Sequence, residues 1–272
     1  MNPTTKIHPT AIIHPSAEIG EEVEIGAYSV IGEHARIGDR TSIGHHTVIE
    51  GWTTIGQGNR IYHFVSIGSP PQDFKYKGEE TRVEIGNENL MREYVTINRA
   101  TPQGRGVTKM GNGCFIMIGC HIAHDCVLGN GVIMANLVGL SGHCLVEDDA
   151  VFGGMAGTHQ FVRIGSVAMI AGGARVGRDV PPYTLAAGDR AKLFGLNSIG
   201  LRRKKIPPKT IEQIKQVYRT IFRSGLTRKD AIEKARSEAG LAPEVQHFLS
   251  FMEGSKRGFC PSSSSEEEEW ED

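Results

Sequence analysis

The chain has 272 residues, with 30 Lys and Arg against 31 Asp and Glu, so its formal net charge is −1; that is enough chain for one large domain or two ordinary ones, and the balance argues against a dedicated nucleic-acid binder. Apolar residues make up 39%, aromatics only 7%, and Gly numbers 34, which suggests a core of small and branched residues bounded by many tight corners. No segment approaches the ~18 apolar residues of a membrane helix, and Met1 to Lys6 is polar, so neither membrane insertion nor a signal peptide is expected.

From the first residues onward the chain repeats. Ile stands at 7, 13, 19, 25, 31, 37, 43, 49, 55, 61 and 67, often followed by Gly. The period returns at Ile85, Met91 and Ile97, shifts phase, and continues from Met110 through Ile116, Ile122, Leu128, Met134, Leu140, Val146, Phe152, Thr158, Ile164 and Ile170 to Val176. A step of six does not match a helix, whose apolar face recurs at three, four and seven. It is a multiple of two, so successive Ile side chains on strands point the same way. Short strands separated by corners, three to a coil of 18 residues, make a hexapeptide solenoid, a triangular prism whose coils stack at about 4.8 Å. A sandwich of short strands predicts irregular spacings of about 8–12 residues instead. The fourth residue after each periodic one is small and also reads as inward, as at Ala11, Val23, Ser29 and Thr47. Cys114, Cys120, Cys126 and Cys144 fill the same slot. They are expected to be buried, reduced thiols, which favours an intracellular protein.

Two segments, 69–84 and 100–109, break the period; insertions in a solenoid emerge as loops on one face, often the binding face. The β-helix is predicted over 1–186 with these two insertions. From 187 to 258 a mainly helical block is expected, because Ile211, Ile214, Val217, Tyr218, Ile221 and Phe222 lie at spacings of three and four. Gly225 can end that helix, and two more follow before 252. Residues 259–272, rich in Ser and Glu, are predicted to be a disordered acidic tail. Without its six acids the remainder carries +5, which suits an acidic ligand.

Histidines number 11. His8 and His14 follow periodic Ile residues and should face solvent. His121, His124, His143 and His159 lie close in a coil that repeats every 18. His124, Gly142 and Gln160 are 18 apart and form one outer column, which the other three histidines flank. Two chemistries compete here: metal binding by neutral imidazoles, and general base catalysis by one His. The neighbour Asp125 favours the second, because a carboxylate fixes an imidazole's tautomer, although adjacent strand residues usually point to opposite sides.

The runs Ile122-Ala123-His124-Asp125-Cys126, Gly153-Gly154-Met155 with His159-Gln160-Phe161, Gln72-Asp73-Phe74-Lys75-Tyr76 with Thr81-Arg82-Val83-Glu84-Ile85-Gly86, and Asp179-Val180-Pro181-Pro182-Tyr183 closely resemble the UDP-N-acetylglucosamine O-acyltransferase family, over about residues 7 to 258. The resemblance implies a left-handed parallel β-helix followed by a C-terminal α-helical domain. It also implies a homotrimer with active sites between subunits and no cofactor or metal. The implied reaction, first in lipid A synthesis, moves an (R)-3-hydroxyacyl group from acyl carrier protein to the 3-hydroxyl of UDP-N-acetylglucosamine. On the same matching, His124 is the base, Asp125 orients it, and Gly142 gives an oxyanion-binding N–H. Asp73, Lys75, His121, His143, His159, Gln160, Asn197 and Arg203 line the UDP-sugar site, and Met169, Gly172 and Arg190 the acyl groove. Gly172 leaves that groove open, which favours a longer acyl chain. Basic residues at 202–205 suit an acidic carrier protein. The sequence departs from the family pattern at Ile199, Asn98 and Arg190, and in its Ser/Glu tail. The compartment implied is the bacterial cytoplasm, or for a plant homologue a mitochondrion or other organelle. A trimeric γ-type carbonic anhydrase with three zinc-binding His is the alternative on the same scaffold.

Overall fold

The computed structural model describes residues 5–237 and 240–263. Short strands, mostly of two residues, recur around three sheets of 11, 9 and 8 strands, parallel except for the last pair of the first, and along the coil each pairs with the strand a full turn further on. Ile13 lies on Ile31, Ile31 on Ile49, and Ile122 on Leu140. The coil is a left-handed β-helix. The right-handed rule for parallel crossovers depends on twisted strands feeding helical connections, and strands this short joined by bare corners accumulate little twist.

The periodic residues fill the prism. Ile31, Ile49, Ile67, Ile116, Ile122 and Leu140 are fully buried, as are the inward partners Val23, Ser29, Ala35 and Thr47. Burying each such apolar side chain is worth about 1.5–3 kcal/mol. All five cysteines are free and buried, including Cys260.

The corners differ from expectation in one respect. At most corners from Glu22 onward the residue with left-handed φ is the third after the periodic one, as at Glu22, Tyr28, His34, Arg40, His46, Trp52, and later Asp125, His143 and Phe161. The Gly that follows the Ile serves a different purpose. A Cβ on Gly38 would lie 2.6 Å from the Gly56 carbonyl carbon one coil away, so Gly is required by the close approach of stacked corners. The next corner residue seals the stack. Asp39 Oδ1 accepts from Glu21 N at 2.8 Å, His45 Nδ1 from Ala27 N at 2.9 Å, and Asp148 Oδ1 from Asn130 N at 2.8 Å.

Both insertions rejoin the sheet earlier than the broken period suggests. Arg82–Ile85 and Val107–Met110 pair with each other over four residues, so the loops proper are shorter than 69–84 and 100–109. Asn98 staples the first loop, donating from Nδ2 to the Pro70 carbonyl at 2.9 Å. Arg99 adds bonds to the Gly68 carbonyl and the Tyr76 hydroxyl, at 3.0 and 2.9 Å.

The C-terminal end of the prism closes with an antiparallel strand pair, Thr184–Ala187 and Lys192–Leu196. Among the described residues four helices follow: α1 (Ser198–Arg203), α2 (Pro208–Arg223), α3 (Arg228–Arg236) and α4 (Pro243–Glu253). Thr227 caps α3 by accepting from Asp230 N, and Gly225 takes left-handed φ just past α2. The apolar faces of α2–α4, including Ile214, Ile232, Phe248 and Leu249, join the solenoid core in one cluster. Two sequence expectations change here. The block expected to be mainly helical from 187 opens with the strand Lys192–Leu196, and its first helix, α1, starts at Ser198 under an Asn197 cap. The tail does not begin at 259: Phe259 and Cys260 are 6% and 2% exposed, and Phe259 and Ser262 bridge to Asp179 and Leu193. Both side chains are apolar enough for burial to hold them against the prism. The rest of the expected tail, from 264, lies outside the described residues.

Close approach and backbone conformation can be separated by substitution. Gly38→Ala should destabilise by about 1–3 kcal/mol through overlap with the next coil. Glu22→Gly, at an exposed left-handed position, should change stability by less than about 1 kcal/mol. Urea denaturation of both variants checks the contrast.

Candidate active site

Residues 122–126 turn the corner after the second sheet, and that corner solves the problem of adjacent side chains. His124 and Asp125 sit in the turn, with φ of Asp125 at +61°. Their side chains therefore meet, with His124 Nδ1 2.9 Å from Asp125 Oδ2. A carboxylate can only accept, so Nδ1 carries the proton and Nε2 is left as a lone-pair acceptor. Both residues are buried, at 7% and 0% exposure.

Asp125 is enclosed by the second insertion. Its Oδ2 accepts from Thr101 N at 3.1 Å and Thr101 Oγ1 at 2.7 Å, and its Oδ1 accepts from Arg105 N at 2.6 Å. Its own N–H donates to Thr108 Oγ1 at 2.8 Å. Burial pushes the carboxyl up, but the hydrogen bonds from His124, Thr101 and Arg105 outweigh it and hold the group at about 2.

Gly142 lies against the His124 ring. A Cβ there would stand 2.5 Å from Cε1 and 2.7 Å from Nε2, so any larger residue would displace the imidazole. The Gly142 carbonyl accepts from Phe161 N at 3.1 Å, while among the described residues no acceptor faces its N–H. Elsewhere a side chain one coil on seals such N–H groups; Gln160, the corresponding residue, is exposed and does not. His143 packs edge-on to His124, with centroids 5.0 Å apart, and stacks on Phe161 at 4.5 Å. His121 Nδ1 pairs with Thr96 Oγ1 at 2.8 Å. Burial lowers the pKa of both flanking histidines. Repulsion from His124 adds to this at His121, and the Asp125 carboxylate opposes it at His143. The Asp73 carboxylate also acts on His143, which brings the first insertion within electrostatic reach of the site.

Other expected residues lie further off. His159 is exposed; its Nδ1 accepts from Arg257 Nη2 at 2.8 Å. It lines a groove of about 890 Å³ with Met155, Gly157, Arg175, Arg190 and Lys192. Lys75 is exposed on the first insertion, and its N–H donates to Asp73 Oδ1 at 2.9 Å. Asn197 uses its amide within the chain, donating to the Val167 carbonyl at 2.8 Å and accepting from Gly200 N at 2.9 Å. Arg203 is exposed at the end of α1, and Ile199 lies within that helix. Met169 belongs to the first sheet and Gly172 to the corner after it, a different edge of the prism from His124. The structure thus unites His121, His124, Asp125, Gly142 and His143. It leaves Asn197, Arg203, Met169 and Gly172 apart from them.

Donor atoms of His124, Asp125 and His143 lie within 4.8 Å of one another, a spacing that could also hold a cation. The Asp125 oxygens, however, already take four hydrogen bonds, and the group has two histidines where the zinc alternative needs three. The donor set reads as an oriented imidazole. Thr101, Arg105 and Thr108 were missed by sequence reading; the only signal was that an insertion interrupts the coil before His124.

The depressed Asp125 pKa has a consequence for stability. A carboxyl held at about 2, against an ordinary 3.8, stabilises the fold above the ordinary value, and that contribution disappears as pH falls through 2. The stability difference between the native chain and Asp125→Asn should therefore shrink from pH 5 to pH 2, as urea midpoints at the two pH values would reveal.

The domain family described as UDP-N-acetylglucosamine O-acyltransferase, domain 2, matches residues 179–260, and the bacterial transferase hexapeptide family matches 108–142. The acyl-[acyl-carrier-protein]–UDP-N-acetylglucosamine O-acyltransferase of Thermodesulfovibrio yellowstonii is 54% identical over 212 residues, 78% of this chain and 82% of that protein. The solved UDP-N-acetylglucosamine O-acyltransferase of Moraxella catarrhalis superposes with a TM-score of 0.91 at 43% identity, covering 93% of this chain and 98% of that one. The Arabidopsis UDP-N-acetylglucosamine acyltransferase gives 0.78 at 36% identity, covering 93% and 99%. With 54% identity over 78% of its length to a relative of that name, and a shared fold over 93% of it, this chain belongs to the UDP-N-acetylglucosamine O-acyltransferase family.

Proposed function

We propose that the chain transfers an (R)-3-hydroxyacyl group from acyl carrier protein to the 3-hydroxyl of UDP-N-acetylglucosamine, the first step of lipid A synthesis, with His124 as general base. The observation that carries this reading is the buried His124–Asp125 pair lying against Gly142. A sugar hydroxyl is a weak nucleophile near neutral pH. Nε2 of His124 takes its proton as the oxygen attacks the thioester carbonyl. Asp125 holds the imidazole in the required tautomer and stabilises the imidazolium. The free Gly142 N–H offers a donor to the tetrahedral oxyanion. Collapse breaks the C–S bond, and the imidazolium returns the proton to the leaving thiolate. The reaction is an exchange of ester for thioester and needs no redox or metal step.

His121, His143, Asp73, Lys75, His159, Gln160, Asn197 and Arg203 form the UDP-sugar site in this reading, with Lys75 and Arg203 meeting the diphosphate. Met169, Gly172 and Arg190 line the acyl groove. His121 lies on the second sheet, His143 at the corner after it and Gly172 at the corner after the first, which supports a homotrimer whose sites form between copies. Leu137 and Met155, 59% and 69% exposed on the edge that carries Gly172, supply an apolar ridge for that contact. Exposed basic residues at 202–205 suit an acidic carrier protein. No described helix is long and apolar enough to cross a membrane, and the reaction belongs where acyl carrier protein is found, the bacterial cytoplasm or a plant organelle.

His124→Ala should lower transfer at least about 100-fold, measured with UDP-N-acetylglucosamine and hydroxyacyl carrier protein, while light scattering still reports a trimer. Wild-type turnover would remove His124 from the mechanism. Gly172 has room for a side chain, since a Cβ would meet only the Gly154 carbonyl oxygen at 3.4 Å and its nitrogen at 3.9 Å. Gly172→Leu should shift preference towards shorter acyl chains in a competition assay with mixed carrier-bound substrates.

A further inference from the structure

The second insertion does more than decorate the coil. Thr101 is 3% exposed and directs both its N–H and its hydroxyl at Asp125 Oδ2, at 3.1 and 2.7 Å. The loop then folds back on the same residue, with the N–H groups of Gly104 and Gly106 each donating to the Thr101 carbonyl at 3.2 Å. That closure presents the Arg105 N–H to the other carboxylate oxygen at 2.6 Å. Gly104 passes so close that a Cβ on it would overlap Asp125 Oδ1. Thr108, where the chain re-enters the sheet, accepts from the Asp125 N–H at 2.8 Å. The carboxylate is thus held on both oxygens, and its residue on the backbone nitrogen, by one short loop.

We infer that this loop is part of the catalytic apparatus and that Thr101 is a positioning residue, whose hydroxyl fixes the Asp125 carboxylate in the plane that aims Nε2 of His124 at the substrate. The inference rests on His124 being the base. Three donors converge on Oδ2: the Thr101 N–H, the Thr101 hydroxyl and His124 Nδ1. A carboxylate bound by His124 alone can rotate about its Cβ–Cγ bond and carry the imidazole with it. Small misplacements of a base are costly to rate. Thr101 does this through Asp125, on which both its N–H and its hydroxyl are spent. The period breaks before this corner because the extra residues are needed to wrap a buried charge that no neighbouring coil could satisfy.

Thr101→Val removes the hydroxyl while keeping shape and the N–H. The full chain, assayed with UDP-N-acetylglucosamine and hydroxyacyl carrier protein, should lose about tenfold in kcat, the loss expected for one charge-assisted hydrogen bond, with KM for both substrates unchanged. Thr101→Ser, which restores the hydroxyl, should recover most of the loss. Gly104→Ala, at an exposed loop position, presses a methyl against Oδ1 and should lower kcat with KM unchanged, so the test survives if Thr101→Val does not fold. Wild-type kcat in both Thr101→Val and Gly104→Ala overturns the inference, as does equal loss in Thr101→Val and Thr101→Ser. His124→Ala, run alongside, separates the two readings. If it is inactive while Thr101→Val and Gly104→Ala are normal, only the positioning role falls; if it is active, the base assignment falls with it.

Discussion

Coil-to-coil hydrogen bonding at a fixed 18-residue step sets the position of everything else in this molecule. Once Ile13, Ile31 and Ile49 lie on one another, each corner residue lies directly above its counterpart. The periodic side chains supply the burial that holds the register, and a slip of one residue would turn each of them out of the prism. The stack tolerates no Cβ where corners approach most closely, so Gly recurs there for lack of room. Left-handed φ, by contrast, falls three residues past the periodic position at most corners and is borne by Tyr, His, Trp, Asp and Phe as well as Gly. A non-Gly residue in that conformation costs about 1–2 kcal/mol. The burial of the strand on either side and the sealing of the corner by a neighbouring side chain offset it.

At one corner that conformational cost coincides with chemistry. The left-handed backbone at Asp125 turns two successive side chains towards each other, which an extended strand could not do. It also points a carboxylate into the protein, where desolvation works against its charge. The site resolves that conflict with backbone and hydroxyl donors from the second insertion rather than with a cation. A full positive charge beside Asp125 would oppose protonation of His124. Neutral donors keep the carboxylate ionised and leave it free to stabilise an imidazolium. Burial lowers the pKa of the flanking His121 and His143.

The C-terminal block continues the same logic. The antiparallel pair after Val176 ends the parallel stack, and α2–α4 bring their apolar faces into the solenoid core. His247 on α4 ties back to the prism through Glu147, with Nε2 to Oε2 at 3.0 Å, and through the Tyr183 hydroxyl at 3.1 Å. Phe259 and Cys260 then return to the prism and extend its ordered end beyond the last helix.

The hexad of Ile residues determined the prism, its 18-residue coil and the inward slot of the four cysteines, because a repeat that short admits one side-chain direction per position. The three and four spacing after 210 determined α2 in the same way, and the column of His124, Gly142 and Gln160 followed from counting. What the sequence could not supply was any contact across a broken period. The αL turn that joins His124 to Asp125, the closure of Thr101, Gly104 and Arg105 around the carboxylate, and the return of Phe259 to the core depend on loop paths and long-range packing. Spacing does not encode those paths. Asn197 marks the same boundary from the other side: its likeness to a family could be read from the sequence, but only the fold revealed that its amide is spent within the chain, on the Val167 carbonyl and the Gly200 N–H.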